Sequence, residues 1–135
     1  MKKIIWTDDF SVGVNSIDEH HKKIIELINT LINLKNESVE SQKIYNVLQE
    51  MMLYAQKHLD YEESMLEEHC YPNLMQHASV HVKYIKRVSE LSFAIMAQDN
   101  QAPEKLLLFL QDWWVHHILY DDMQYRSFCE QKEVS

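Results

Sequence analysis

The stretch Ala55–Leu66, AQKHLDYEESML, decides the fold. Ala55, Leu59, Met65 and Leu66 recur at the period of an amphipathic helix, and His58 and Glu62 fall on the same stripe. Residues four apart on an α-helix stand one turn above the other on one face. This helix therefore turns an imidazole and a carboxylate inward at one level. A buried charge without a partner is costly, so partners are expected from elsewhere in the chain.

The stripe extends back through Ile44, Val47, Leu48 and Met51, and three other stretches repeat the pattern. The first carries Ile17, His21, Ile24, Ile25, Ile28, Leu31 and Ile32. The third carries Leu74, His77, His81, Ile85, Val88, Leu91, Ser92 and Ile95, and the fourth Leu106, Leu110, Trp113 and His117. The polar runs Asn36 to Gln42 and Gln98 to Gln101 separate them, as does Cys70-Tyr71-Pro72-Asn73, a turn in which Asn73 is placed to cap the next helix. Pro103 suits the first turn of the fourth helix. With one glycine and two prolines in 135 residues, the chain has few sites for tight turns. The expectation is an all-α fold, an antiparallel up-down-up-down four-helix bundle over about residues 17–130. An extended N-terminal arm, 1–16, anchored by Trp6 and Phe10, completes a single domain, 1–135, with one core.

Such a bundle brings His21, His58, Glu62, His77, His81, His117 and Asp122 to one interior point. Asp122 is out of phase: Asp121 is four residues after His117 and Asp122 five. A π-bulge, which inserts one residue into a helix, would bring Asp122 into line. Imidazole and carboxylate suit transition metals such as iron, zinc, copper or nickel, and no thiolate lies on these faces. Seven ligands exceed the needs of one ion. Two six-coordinate ions sharing both carboxylates and one solvent-derived oxygen would keep a single open position. Because histidine outweighs carboxylate, little metal charge is neutralised, which favours holding and releasing dioxygen over cleaving it.

A net charge of -8 without a basic stripe argues against nucleic acid. No run of about 18 apolar residues is present, so no membrane insertion is expected. Met1–Phe10 lacks the apolar core of a secretory signal, and Cys70 and Cys129 read as free thiols; the cytoplasm is the expected location.

Trp6, Ser11-Val12-Gly13-Val14, Ile17-Asp18 and His21, then His58-x-x-x-Glu62, Tyr71-Pro72, His77-x-x-x-His81, and Trp113 with His117-Ile118-x-x-x-Asp122 together resemble the hemerythrin family, in its single-domain bacterial form. The resemblance spans nearly the whole chain. It implies a non-haem di-iron centre: two iron ions, Fe2+ or Fe3+, with a bridging oxo or hydroxo group, binding dioxygen reversibly. His77, His81 and His117 would hold one iron and His21 and His58 the other, with Glu62 and Asp122 bridging. The iron on His21 and His58 would take the dioxygen. By spacing from the ligands, Ile24, Ile25, Leu59, Trp113, Leu119 and Tyr125 are the candidate walls of its pocket. The implied role is oxygen transport, storage or sensing, with an oxygen-consuming enzyme as a conceivable partner. The competing readings are a di-iron enzyme consuming dioxygen, peroxide or nitric oxide, and a sensor module acting through a separate partner. His20, His69 and His116 read as surface residues; where His20 stands, the family usually has glutamine.

Overall fold

Helix α1 spans Asn15–Asn36, α2 Ser41–Glu68, α3 Leu74–Met96 and α4 Ala102–His116. The helix of α4 runs on through a π-helical turn, His117–Asp121, and a 3₁₀ turn, Asp122–Tyr125, into α5, Arg126–Gln131. The structure is a computed structural model that describes residues 2–36 and 41–135; most of the expected polar link between α1 and α2 lies outside the described residues. No strand occurs among the described residues, and the connections 69–73 and 97–101 are short enough to make successive helices antiparallel. Helix α1 packs on α2 and α4, and α3 packs on the same two, which closes the four-helix bundle.

Left-handed residues end three of the helices without glycine, the last being Glu133 after α5, φ 57°, where Val134 N–H reaches Cys129 O at 3.0 Å. Cys70 has φ 60° and Gln98 φ 65°, and the next N–H in each case reaches back to a free carbonyl, Tyr71 to Leu66 at 2.9 Å and Asp99 to Ala94 at 3.0 Å. Asn73 stands at the N-cap of α3 as expected, but its side chain makes no capping hydrogen bond.

The arm is pinned rather than merely laid down. Ile4 N–H donates to Asn29 Oδ1, and Asn29 Nδ2 donates back to Ile4 O, both at 2.8 Å. Trp6 stacks on the buried Phe10 with ring centroids 5.6 Å apart, so both anchors hold. Phe10 closes a 3₁₀ turn, Asp8–Phe10. Helix α1 starts two residues before Ile17 because Asp18 organises its entry, accepting from Ser11 Oγ at 2.6 Å and Val12 N–H at 2.9 Å. Between them Gly13 takes φ +77°, a conformation that L side chains rarely adopt.

The interior is two apolar clusters instead of the expected one. The larger holds Ile24, Ile25, Ile28, Leu31, Met51, Leu59, Leu106, Leu110, Trp114 and Ile118; the smaller holds Val12, Val14, Ile17, Met65, Leu66, Tyr71, Tyr125 and Cys129. The expected stripes need two corrections. On α3 the buried face passes through Tyr84, while Ile85 is exposed, because the succession His77, His81, Tyr84, Val88, Leu91 alternates steps of four and three. On α4 it is Trp114 that is fully buried, and Trp113 is half-buried. The two corrections meet: Trp114 Nε1–H donates to Tyr84 Oη at 3.2 Å across the α3–α4 seam. Tyr84→Phe would leave that indole N–H buried without an acceptor, at a cost of about 1–3 kcal/mol. Urea unfolding should show the loss, and an unchanged midpoint would mean that this hydrogen bond contributes nothing.

Candidate metal centre

Between the two apolar clusters the four helices turn seven polar side chains toward one another. His21 comes from α1, His58 and Glu62 from α2, His77 and His81 from α3, and His117 and Asp122 from the irregular turns after α4. All seven are buried, and His77, the most accessible, is only 6% exposed. The structure thus gathers all seven of the residues named as candidate ligands from the sequence.

The carboxylates divide the histidines into two groups. Glu62 Oε1 touches His77 Nε2, lies 3.2 Å from His81 Nε2 and 3.8 Å from His117 Nε2. Its other oxygen, Oε2, faces His58 Nε2 at 3.4 Å and His21 Nε2 at 4.0 Å. Asp122 repeats the division: Oδ1 is 3.0 Å from His117 Nε2 and 3.2 Å from His77 Nε2, and Oδ2 is 3.1 Å from His21 Nε2. Two sets of ligand atoms result, Glu62, His77, His81, His117 and Asp122 in one, and His21, His58, Glu62 and Asp122 in the other.

Asp122 reaches the site because the helix distorts as expected. The π-helical turn His117–Asp121 inserts one residue, so Asp121 and Asp122 both serve His117, from opposite sides. Asp121 Oδ2 accepts from the outer nitrogen, Nδ1, at 3.0 Å, while Asp122 faces Nε2. Asp121 stands where helical phase puts it, and Asp122 where the bulge puts it.

Several residues close to the cluster were not anticipated. His20 is not a surface residue: it is half-buried, and its Nδ1 lies 3.0 Å from His58 Nδ1. The rotation of about 100° from His21 carries it into the seam with α2 and not out to solvent. Glu63, the neighbour of Glu62 on α2, accepts from His81 Nδ1 at 2.9 Å. Trp114 approaches the His58 ring at 5.8 Å, while Trp113 stacks on His117 at 4.2 Å. Tyr125 Oη–H donates to Glu62 Oε2 at 3.1 Å. Ile24, Ile25 and Leu59 are buried in the larger cluster, but Leu119 is half-buried and lines an outward hollow with Gln111, Asp112, Val115, His116 and Tyr120. Its neighbour Ile118 is the buried one. His69 is half-buried with its Nδ1–H on the Met65 carbonyl at 2.8 Å, and His116 is exposed, stacked on Tyr120.

The protonation pattern follows from crowding acids and imidazoles in a dry place. Burial works against the charge on Glu62, but the surrounding histidines, His117, His58, His77 and His81, hold its carboxyl well below the usual range. Burial and the charge of Glu62 also oppose ionisation of Asp122, yet His117 and His21 keep it ionised. Burial lowers His77, but Asp122 and Glu62 overcome it and push the imidazole up to about 9. His117 is likewise carried well above its ordinary value by the neighbouring aspartates and Glu62, against its burial. His58 goes the other way, down to about 4 by burial, and burial lowers His20 too.

Without a cation, then, His77 and His117 are the imidazoles that the buried carboxylates hold in the charged form. The donor set suits metal: His21 Nδ1 and Nε2, His58 Nε2 and both oxygens of Asp122 are buried with no hydrogen-bond partner among the described residues. Such orphaned atoms cost free energy unless something coordinates them. A metal ion needs neutral imidazoles, so binding must expel the protons of His77 and His117. Titration calorimetry in buffers of different ionisation enthalpy should report release of about two protons per chain near neutral pH. Release should decline, and affinity rise, as pH climbs through about 9, where His77 loses its proton unaided. Uptake without proton release would contradict this charge pattern.

The fold and this cluster define a class, an antiparallel four-helix bundle built around a histidine-rich site suited to metal. The family model described as Hemerythrin HHE cation binding domain matches residues 12–128. Bacteriohemerythrin from Stenotrophomonas maltophilia is 34% identical over 125 residues, covering 93% of this chain and 80% of that protein. Bacteriohemerythrin from Clostridium acetobutylicum is 31% identical over 125 residues, covering 90% of this chain and 97% of its own length. A crystal structure of a hemerythrin leucine-to-alanine mutant, 24% identical, matches with a TM-score of 0.84 over 94% of this chain and 97% of that one, which bears on the fold. The chain belongs to the hemerythrin family.

Proposed function

We propose that this chain binds dioxygen reversibly at a pair of iron ions, as an oxygen-binding protein and not an enzyme, with residues 1–135 acting as one unit in the cytoplasm. The observation that carries the reading is the division of each carboxylate between the two sides: Glu62 turns one oxygen toward His77, His81 and His117 and the other toward His58 and His21, and Asp122 turns one toward His117 and His77 and the other toward His21. His77, His81 and His117 would hold one ion, His21 and His58 the other, and Glu62 and Asp122 would bridge them. The iron pair would supply reversible electron transfer to bound dioxygen. The chain's own part is to hold, orient and exclude water.

Five histidines and two carboxylates leave the two-histidine side short of ligands, so exogenous dioxygen would bind there. Ile24, Ile25, Leu59, Trp114 and Ile118, all buried, would keep that side dry. Tyr125 would steady Glu62 by its hydrogen bond to Oε2, the oxygen on the two-histidine side. Trp113 would support the other side through its stack on His117. Leu119 packs against the larger cluster while also lining the outward hollow, so it would stand at the edge of that wall. No helix among the described residues is long and apolar enough to cross a membrane. With the acidic composition, this leaves dioxygen itself as the proposed partner.

A visible spectrum tests the reading on the anaerobically reduced, iron-loaded protein, with dioxygen added and then withdrawn. Colour should appear and fade with the gas over repeated cycles. Persistent oxidation after withdrawal, or continued consumption of dioxygen, would favour an enzyme. Glu62→Ala should lose most of its iron and with it the colour; full iron content in that variant would overturn the bridging assignment.

A further inference from the structure

The outer nitrogens of the cluster histidines do not meet the same kind of partner. On the three-histidine side, His81 Nδ1 meets the Glu63 carboxylate at 2.9 Å and His117 Nδ1 meets Asp121 at 3.0 Å. On the other side His58 Nδ1 meets an imidazole nitrogen, His20 Nδ1, at 3.0 Å, and His21 Nδ1 is buried without a partner among the described residues. A carboxylate drawing on an imidazole N–H makes the opposite nitrogen a stronger donor to a metal; a neutral acceptor does so less.

Two imidazole nitrogens in contact share one proton, so one donates and the other accepts. His58 Nε2 faces the cluster, 3.4 Å from Glu62 Oε2, and with a metal bound there it would offer its lone pair to the ion. In that state the shared proton would sit on His58 Nδ1, with His20 Nδ1 accepting it. Neighbouring rings hold His20 in this orientation, since it stands edge-on to Tyr61 at 4.8 Å and Tyr54 at 6.1 Å, and perpendicular to His58.

Resting on the two-metal reading above, we propose that His20 is a positioning residue, the neutral acceptor that fixes the tautomer of His58. Its neutral imidazole is a weaker partner than the carboxylates of the other side, which adds to the inequality that two histidines against three already give the positions. The three-histidine position fills first and holds tightly. The His21–His58 position fills second and exchanges more readily.

The test is a Co(II) titration of the full chain against a competing chelator, with the visible bands of cobalt reporting each step. Wild-type protein should take up two ions in two separated steps. His20→Phe keeps a ring but removes the acceptor, and should weaken the second step about 10- to 100-fold with the first unchanged. His20→Gln, whose amide oxygen accepts, should restore the second step most of the way. His20→Glu should strengthen it about tenfold and narrow the gap between the steps. If the Phe variant fails to fold, the Gln and Glu variants decide. A second step indifferent to them, or two steps that shift together, overturns the role of His20 alone. Uptake of fewer than two ions by wild-type protein overturns this role together with the two-metal reading.

Discussion

Glu62 and Asp122 are ionised carboxylates with no exposed surface, and the structure depends on how they are compensated. Moving one such ion into a dry interior costs of order 20 kcal/mol in the idealised case and several even after relaxation. No single partner meets that cost; each carboxylate is shared by histidines from different helices. The bundle is thus tied at its middle by charge as well as by apolar packing. This is why the core divides into two clusters: a polar layer contributed by α1, α2, α3 and the turns after α4 lies between them.

The same constraint accounts for the irregular end of the fourth helix. A regular helix would leave Asp121 beside His117 and swing Asp122 aside, so only one side of that imidazole would find a carboxylate. The π-helical turn gives both, Asp121 at the outer nitrogen and Asp122 at the inner. The local distortion therefore brings the second carboxylate into the cluster and orients His117 in one move.

Much of this is legible in the sequence because ligand spacing and apolar spacing share a period. His58 with Glu62 and His77 with His81 sit in phase with their hydrophobic stripes, so burial and coordination point the same way. Asp122 is legible for the opposite reason, since being one residue out of phase exposes the bulge. Residues at the seams between helices are not legible. His20 lies one position from the His21 stripe, and phase alone does not say whether that angle meets solvent or a neighbouring helix; Tyr84 and Ile85 follow His81 by three and by four, both helical steps, so the path of α3 decides between them. The choice between Trp113 and Trp114, like that between Ile118 and Leu119, turns on the path of α4 as it enters the bulge. Glu63 reads as solvated face because its role depends on α3, a partner that spacing within α2 does not reveal. The division of the core into two clusters also needs three dimensions.

Glu62 and Asp122, between the two sets of histidines, are where the proposed pair of ions would meet. Crystals of the anaerobically iron-loaded protein, measured across the iron absorption edge, locate the ions directly. Two anomalous peaks are expected, one ringed by His77, His81 and His117 and one by His21 and His58, with both carboxylates between them. A single peak, or a second peak lying away from the two carboxylates, would contradict it.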